Sequence, residues 1–298
     1  MREGVLWTNF SLRRLKRELA KRGFRVNVEV VAQLLDKHHL GRRKALKKLS
    51  HKRHPQRDRQ FQIIAQYRES YEKSGNPILS IDTKKKELIG NFFREGHTYT
   101  QKLVETLDHD FPSLASGVIY PHGLYDLQRN HGHLNVGTSH DTSRFACDSI
   151  AHWCEHFGRA FYPNASSLLA LCDGGGSNAA NRYVFKHALE NLADRVGLEI
   201  RVCHYPPHES KYNPIEHRFF PHVSRACQGI IFNTVSTALE SMAAASTTKG
   251  LTTTIHLLEG DYKTGEKTPK NYKKVMRIVF DDELPHWNYR AIPSKQGS

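Results

Sequence analysis

The sequence predicts an α/β protein in which a small all-α region precedes a mixed β-sheet with helices on both faces. Three observations lead to this prediction. Amphipathic patterns with helical spacing fill the first 76 residues, which also carry most of the positive charge. From Pro77 the pattern changes to short apolar runs separated by polar turns. Later runs alternate with helical patterns, which is typical of α/β domains.

Charge is distributed unevenly along the chain, whose formal net charge is +14 over 298 residues. Residues 1–60 contain 18 lysines and arginines against 5 acidic residues, a net charge of +13, and the remainder carries +1. A solvated basic face is the ordinary explanation of an isolated basic segment. Nucleic-acid binding is favoured when a recognition fold coincides with the charge.

Two helices are predicted in this basic region. The pattern SLRRLKRELAKRG begins at Ser11 and places three leucines on one face, and NVEVVAQLLDKHH follows with Asn27 as its cap. The basic run GRRKALKKLSHKRH comes next. This order predicts a helix-turn-helix module that binds double-stranded DNA, with a phosphate-gripping extension. The basic residues expected to contact DNA here are Arg13, Arg14, Arg17, Arg42, Arg43, Lys47 and Lys48.

Three regions are predicted along the chain. Residues 1–76 form the helix-turn-helix region, completed by a linker helix that ends at Gly75. Residues 77–250 form the α/β domain, and residues 251–298 form a C-terminal extension. Within the α/β domain, residues 92–131 are interrupted by several prolines and glycines, so we predict an irregular insertion there.

Five strands are predicted in the α/β domain. ILSIDTKKKELIGNF predicts two strands joined by a tight turn, LNVGTSH a third, SLLALCD a buried fourth and LEIRVCHYP a fifth. Helices are predicted after the third, fourth and fifth strands, the first of them capped by Asp141 and Thr142. This order matches the ribonuclease H-like fold, a mixed sheet that begins with three antiparallel strands. Such folds host many functions, so the order alone does not identify one.

Three acidic residues fall at places that this fold would bring together. Asp82 ends the first strand, Asp173 ends the fourth, and Glu216 lies near the start of the helix after the fifth. Carboxylate oxygens are the ligands that Mg²⁺ prefers, and two such ions about 3.5–4 Å apart can act on both oxygens of a phosphodiester exchange. We therefore predict that these residues are catalytic and hold two Mg²⁺ or Mn²⁺ ions.

Each acidic residue also has a structural explanation. Asp82 can be a hairpin turn residue, and Asp173 can be a strand-end or capping residue. Glu216 fits a capping box in which Asn213 is the cap and Pro214 the first helical residue. The occurrence of all three at equivalent places favours catalysis over three separate structural roles.

The loop after Asp173 and the loop before Glu216 are candidates for phosphate contact. Three glycines follow Asp173 and would let a phosphate approach closely, and Lys211 precedes Glu216. The patterns GK[ST] and GxGxxG are missing from the sequence, so no nucleotide cofactor is predicted.

Cysteine usage and hydropathy predict a cytoplasmic, nucleoid-associated protein with no membrane partner. The five cysteines include no CxxC pair, which indicates neither a zinc site nor a disulfide framework. The sequence has no apolar run of the roughly 20 residues that span a bilayer, and its start lacks the apolar core of a signal peptide.

Over nearly its whole length, the chain resembles the ISAzo-type DDE transposases of bacterial insertion sequences, distant relatives of the mariner superfamily. The motifs that carry the resemblance are IDTKKKELIGNF, PHGLYDLQRNHGHLNVGTSHDTSRFACDSI, LLALCDGGGSN, VCHYPPHESKYNPIEHRFF and GLTTTIHLLEGDYKTGEK leading to WNY at Trp287–Tyr289. The resemblance implies metal-dependent phosphodiester hydrolysis and strand transfer at the ends of an insertion sequence. It assigns the family's catalytic Asp, Asp and Glu to Asp82, Asp173 and Glu216. Implied partners are the element ends, the target DNA and a second copy of the chain.

The sequence departs from the family pattern in two places. Family members begin with further DNA-binding helices ahead of the segment WTNFSLRRL, so a chain shortened at its front is one expectation. His208 and Glu209 stand where the family more often has a Gly-Thr pair, which adds an acid close to Glu216. Three hypotheses stay open: an active transposase, a truncated and catalytically inactive DNA-binding remnant of one, and a cellular ribonuclease H-like nuclease.

Overall fold

The computed structural model describes residues 8–43 and 54–294, and the chain divides into two compact units, residues 1–49 and 50–298. In the first unit, helix α1 spans Leu12–Lys21 and packs against helix α2, which spans Val28–Lys37. The Ser11 side chain accepts a hydrogen bond from the Arg14 N–H, and the Asn27 side chain accepts one from the Val30 N–H. The predicted cap at Asn27 is therefore confirmed, as are the two helices; Ser11, where the first helical pattern begins, is also a cap.

The elements of the second unit, in chain order, are α3 (Arg57–Ser74), β1 (Ile78–Thr83), β2 (Glu87–Ile89), β3 (Gly117–Asp126), β4 (His131–Gly137), α4 (Ser143–Trp153), α5 (Arg159–Phe161), β5 (Ser167–Cys172), α6 (Tyr183–Val196), β6 (Glu199–His204), α7 (Ile215–Arg218), α8 (Phe220–Ala226), α9 (Val235–Ala243), β7 (Thr252–Leu257), α10 (Tyr272–Val275), β8 (Ile278–Phe280) and β9 (Asn288–Ala291). Within residues 8–43 and 54–294, no helix is both long enough and apolar enough to cross a bilayer.

The strands of the second unit, as far as the described residues show, form one sheet in the order β7-β4-β3-β1-β5-β6-β9-β8, with β2 paired to β3. At its centre, β3 is antiparallel to both β1 and β4. Strand β5 runs parallel to β1 and to β6. This is the ribonuclease H-like order, so the predicted fold class is confirmed.

The second central strand is not where the sequence predicted it. The prediction of an irregular insertion over residues 92–131 is wrong from Gly117 onward, because β3 lies there, and the strand predicted around Glu87 is only the short β2. Pro121 and Gly123 led to this error, since both usually interrupt strands. Strand β3 pairs with β1 as far as His122 and with β2 from Ile119 onward. Pro121 lies between these two pairings, where neither β1 nor β2 needs the N–H group that proline lacks.

Helices cover both faces of the sheet. Helices α4 and α6 pack over β1, β5 and β6 around Trp153 and Phe185, and α7, α8 and α9 pack over β3 and β4 on the opposite face. Helix α3, interpreted from the sequence as a linker, joins the core on that second face. Its residues Ile64 and Tyr71 pack against Ile78 of β1. The helix is thus an integral part of the sheet unit.

The C-terminal extension lengthens the sheet at both ends. Strand β7 pairs parallel to β4, while β9 pairs antiparallel to β6 and to β8. Pairing of this kind satisfies backbone groups that would otherwise be left open at the edges of the five central strands.

Two glycines allow α7 and α8 to lie close against the sheet. A Cβ atom added to Gly123 would lie 2.5 Å from a ring carbon of Phe220, and one added to Gly132 would lie 2.3 Å from the ring of Phe219. Gly123 pairs directly with Asp82 across β1 and β3. The Phe220 ring therefore lies over the β1–β3 pair that contains Asp82, and the Phe219 ring lies over β4.

We predict that Gly132→Ala destabilises the second unit by about 1–3 kcal/mol, because the added methyl group overlaps the Phe219 ring in a closely packed core. Urea denaturation measures the change. Gly174→Ala is the matched control, because no heavy atom lies within 4 Å of the Cβ position there. We expect that substitution to change the free energy of unfolding by less than about 0.5 kcal/mol. Equal stability of the two variants would contradict the close packing of α8 on β4.

Candidate functional site

The register of the sheet places Asp82 beside Asp173. Strands β1 and β5 are parallel, and Ile81 pairs with Cys172, so the next residue on each strand path is an aspartate. Ile81 and Cys172 both belong to the core under α4 and α6. Because successive side chains of a strand point to opposite faces, both aspartates point to the face that α7 covers.

Glu216 reaches the same place from α7. Ile215 and Phe219, on either side of it, are fully buried and anchor the helix to the sheet. The side chains of Asp82 and Glu216 share a hydrogen bond, and Asp173 is close enough to repel Asp82. All three predicted acidic residues, each of them half-buried, therefore meet at one edge of the sheet.

The electrostatics of this group are those of crowded negative charge. Burial, repulsion by Asp173 and the hydrogen bond with Glu216 together raise the pKa of Asp82 to about 8. The Thr83 N–H, which donates to Asp82 Oδ1 over 2.8 Å, acts in the opposite direction without offsetting them. A cation placed among these carboxylates would offset the repulsion that Asp173 and Glu216 contribute to the shift.

The donor set is suited to a hard divalent cation, since three carboxylates supply oxygen ligands of the kind that Mg²⁺ and Mn²⁺ take. Among the residues that the structure describes, no group of three or more His, Cys, Asp or Glu side chains already stands in an arrangement that could hold a metal ion.

His204 lies directly beneath the site and is fully buried. Its Nδ1 is 3.0 Å from the Asp173 carbonyl oxygen, and its Nε2 is 2.8 Å from the Tyr289 hydroxyl oxygen. Burial lowers the pKa of His204 to about 4. Both ring nitrogens are thus engaged, and the side chain supports the Asp173 backbone.

The structural alternatives for Asp82 and Glu216 do not hold. Asp82 is a residue of β1 and not of a turn. Helix α7 has no side-chain cap, and Asn213 bonds to β1 instead of capping the helix, so the predicted capping box is wrong. Asp173 accepts a 3.3 Å hydrogen bond from the Gly175 N–H, a local turn contact that leaves its second oxygen available.

Asp141 is a further acid at this edge that the sequence pattern assigned only to capping. Thr142 caps α4 through the Phe145 N–H, whereas Asp141 lies half-buried near the site. Burial raises the pKa of Asp141, and repulsion by Asp173 adds to the effect. Nothing in the local sequence distinguishes this residue from its capping neighbour.

Glu209, the extra acid before Glu216, is turned away from the carboxylates. It is only 2% exposed, bonds Arg57 Nε over 2.7 Å, and lies 3.6 Å from Lys211. Its charge is therefore balanced by Arg57 of α3 and by Lys211, the predicted phosphate contact, which lies beside it. His208 has a φ of 66°, a left-handed conformation that favours glycine, in keeping with the Gly of the family pattern.

The predicted DNA-contact residues of the first unit are exposed where the structure describes them. Arg13, Arg14 and Arg17 lie on α1, and Arg42 and Arg43 follow α2. Arg14 stacks over the Phe10 ring at 3.9 Å. Lys47 and Lys48 lie outside the described residues.

We predict that Asp82→Asn raises the melting temperature of the protein in EDTA at pH 7, because burial and the neighbouring carboxylates raise the pKa of Asp82 to about 8, so that folding requires the uptake of a proton that Asn does not need. Divalent metal should raise the melting temperature of the wild type and leave that of the variant unchanged. Each kcal/mol corresponds to about 2–4 °C at this domain size. Differential scanning fluorimetry with and without Mn²⁺ makes the measurement.

Asp126→Asn is the control for that substitution. Asp126 is fully buried but accepts hydrogen bonds from the Tyr162 hydroxyl group and from the N–H groups of Gln128 and Arg129. Its replacement should lower the melting temperature with and without metal. An Asp82→Asn variant that is less stable than the wild type in EDTA would argue against the repulsion.

Comparison with known proteins gives a family match over nearly the whole chain. Residues 1–293 match the family described as the Rhodopirellula transposase DDE domain. A search of curated proteins finds no match.

Solved structures similar to this chain include a Mos1 transposase paired-end complex with the left transposon end, at 12% identity and a TM-score of 0.45 over 80% of this chain and 72% of that one. A Mos1 mariner paired-end complex with Mn is similar at 13% identity and a TM-score of 0.44, over 78% and 65% of the two chains. The fold assignment rests on the strand order of the sheet and not on these similarities.

Proposed function

The chain belongs to the Rhodopirellula transposase DDE domain family, and we propose that it hydrolyses phosphodiester bonds at the ends of an insertion sequence and transfers the resulting strands. The observation that carries this proposal is the convergence of Asp82, Asp173 and Glu216 at one edge of the sheet. Crowded carboxylates without a cation are unfavourable, so their placement together indicates a shared role.

In the proposed mechanism, Asp82, Asp173 and Glu216 would hold two Mg²⁺ or Mn²⁺ ions. Such ions activate a hydroxyl nucleophile and stabilise the leaving oxygen at a phosphodiester. The strand ends supply two carboxylates from fixed backbone, and α7 supplies the third. The exposed residues Gly174 to Gly176 carry no side chains, so the backbone of a DNA strand can come close to Asp173.

DNA binding is proposed to depend mainly on the first unit. Three exposed arginines of α1 and two after α2 form a basic surface beside the helix pair. Contacts between such side chains and phosphates hold a protein on a duplex without reading its sequence. The cytoplasm, at the nucleoid, is the proposed place of action, and the buried, unpaired cysteines suit a reducing compartment.

We predict that Asp173→Asn abolishes metal-dependent nicking and joining while duplex binding persists. DNA carrying the element's ends is incubated with protein and Mg²⁺, and products are resolved on denaturing gels. We expect the rate to fall by more than about 100-fold, since even outer-shell changes at metal sites cost 10–100-fold. Asp282→Asn, an exposed change of the same chemistry, should retain wild-type activity.

Three outcomes would oppose the proposal. Identical products from the wild type and the Asp173→Asn variant would remove Asp173 from the reaction. Tight duplex binding by the wild type without cleavage in Mg²⁺ or Mn²⁺ would favour the inactive-remnant alternative. Cleavage that ignores the terminal sequences would favour a cellular nuclease.

The basic surface has its own test in the salt dependence of duplex binding. The logarithm of affinity should fall linearly with the logarithm of salt concentration, with a slope of about −0.9 for each phosphate contact. Replacing Arg13, Arg14 and Arg17 with Gln should flatten this slope by up to about three such contacts. Fluorescence anisotropy over a range of NaCl concentrations measures it.

The charge-matched control replaces Lys263, Lys267 and Lys270, which are exposed in the second unit, with Gln. We expect these changes to alter the slope less than the α1 changes do, although the net charge falls equally. A steeper loss with the control would move the main DNA-binding surface to the second unit.

A further inference from the structure

Helix α7 carries Glu216 but has little of its own to hold it in place. It spans only Ile215–Arg218, and its N-cap residue, Pro214, makes no side-chain capping bond. Short helices are marginal without tertiary contacts. The contacts that fix this helix must therefore come from the sheet, and they decide where the third carboxylate stands.

A buried hydrogen-bonded pair supplies those contacts. Ser80 Oγ donates to Asn213 Oδ1 over 2.5 Å and accepts from the Ile215 N–H over 2.9 Å. Asn213 Nδ2 donates to the Ile81 carbonyl oxygen over 3.1 Å. Both side chains are fully buried. Strand β1 is thus joined to the start of α7 by three hydrogen bonds.

The two ends of this pair lie close to two of the three carboxylates. Ser80 precedes Asp82 by two residues on β1, so both side chains point to the face that α7 covers. Asn213 precedes Glu216 by three residues, and its carbonyl oxygen accepts a 3.1 Å hydrogen bond from the Glu216 N–H. The pair therefore spans from the strand of the first carboxylate to the backbone of the third.

The pair satisfies two backbone groups, the Ile215 N–H and the Ile81 carbonyl oxygen, and it also fixes the distance between β1 and α7. The side chains around it on this face are apolar, among them Ile78, Leu171 and Ile215. Buried polar pairs contribute little more to stability than well-packed apolar residues of similar size, whereas their hydrogen bonds fix one geometry. A directional contact is what a site needs when two carboxylates from different elements must serve one cation.

We infer that Ser80 and Asn213 are positioning residues that hold Glu216 at a fixed place relative to Asp82 and thereby set the affinity of the carboxylate site for divalent metal. The inference rests on the proposed function, since it takes the carboxylates to be metal ligands. Neither side chain touches the metal or the DNA in this account.

The test measures Mn²⁺ affinity directly and needs no DNA. Ser80→Ala removes the hydroxyl group that both accepts and donates, and Mn²⁺ binding is followed by electron paramagnetic resonance of the free ion. We expect the affinity to fall about 10–100-fold, the range found for residues that orient metal ligands. Circular dichroism and the melting temperature establish that the variant is folded at the temperature of the titration.

Ser149→Ala is the matched control. Ser149 is also fully buried, and its hydroxyl oxygen lies 2.8 Å from His122 Nδ1 and accepts from Asn135 Nδ2 over 2.9 Å. The two substitutions remove the same atom and the same number of buried contacts. We expect Ser149→Ala to lower the melting temperature as Ser80→Ala does while its Mn²⁺ affinity stays within about twofold of wild type.

Asn213→Leu gives a second and independent variant, because Leu has a similar volume and makes none of the hydrogen bonds. We expect the same loss of Mn²⁺ affinity, and no further loss in the double variant with Ser80→Ala, since the two residues act as one unit.

Wild-type affinity in either single variant, or an equal loss in Ser149→Ala, would overturn the inference and leave the metal site itself standing. Failure of the wild type to bind Mn²⁺ would overturn both the inference and the proposed function.

Discussion

Repulsion among three carboxylates is the constraint around which the second unit is built. Asp82 and Asp173 occupy adjacent parallel strands, where the register allows neither to move away. Glu216 is held near them by α7, and burial together with the two neighbouring carboxylates raises the pKa of Asp82 to about 8. A site of this kind is stable only if the surrounding packing is rigid, and the sheet and its helices supply that rigidity.

Close contact between α7, α8 and the sheet provides much of the rigidity. The aromatic rings after Glu216 rest on β3 and β4, where Gly123 and Gly132 leave room for them. The buried Ser80–Asn213 pair adds direction to this packing, because apolar contacts alone permit sliding and hydrogen bonds do not. Helix α3 and the C-terminal strands complete the unit by covering one face and extending both edges of the sheet.

Local patterns in the sequence were sufficient for much of this fold and insufficient for the rest. The caps at Ser11 and Asn27 were predictable because donor and acceptor lie three residues apart. Strand β3 was missed because the effect of Pro121 depends on which neighbouring strand pairs with it. Asn213 matched a capping pattern, yet its partner Ser80 lies 133 residues away, and no local rule weighs such a contact. The aspartates at the strand ends were recognisable because parallel strands end at one edge of a sheet.

The most direct measurement is the anomalous scattering of a crystal soaked in Mn²⁺. The account predicts peaks bounded by the carboxylates of Asp82, Asp173 and Glu216, with the hydrogen bond between Asp82 and Glu216 replaced by metal ligation. Peaks only elsewhere on the protein, or none with that hydrogen bond intact at millimolar Mn²⁺, would contradict the claim that these three residues form a metal site.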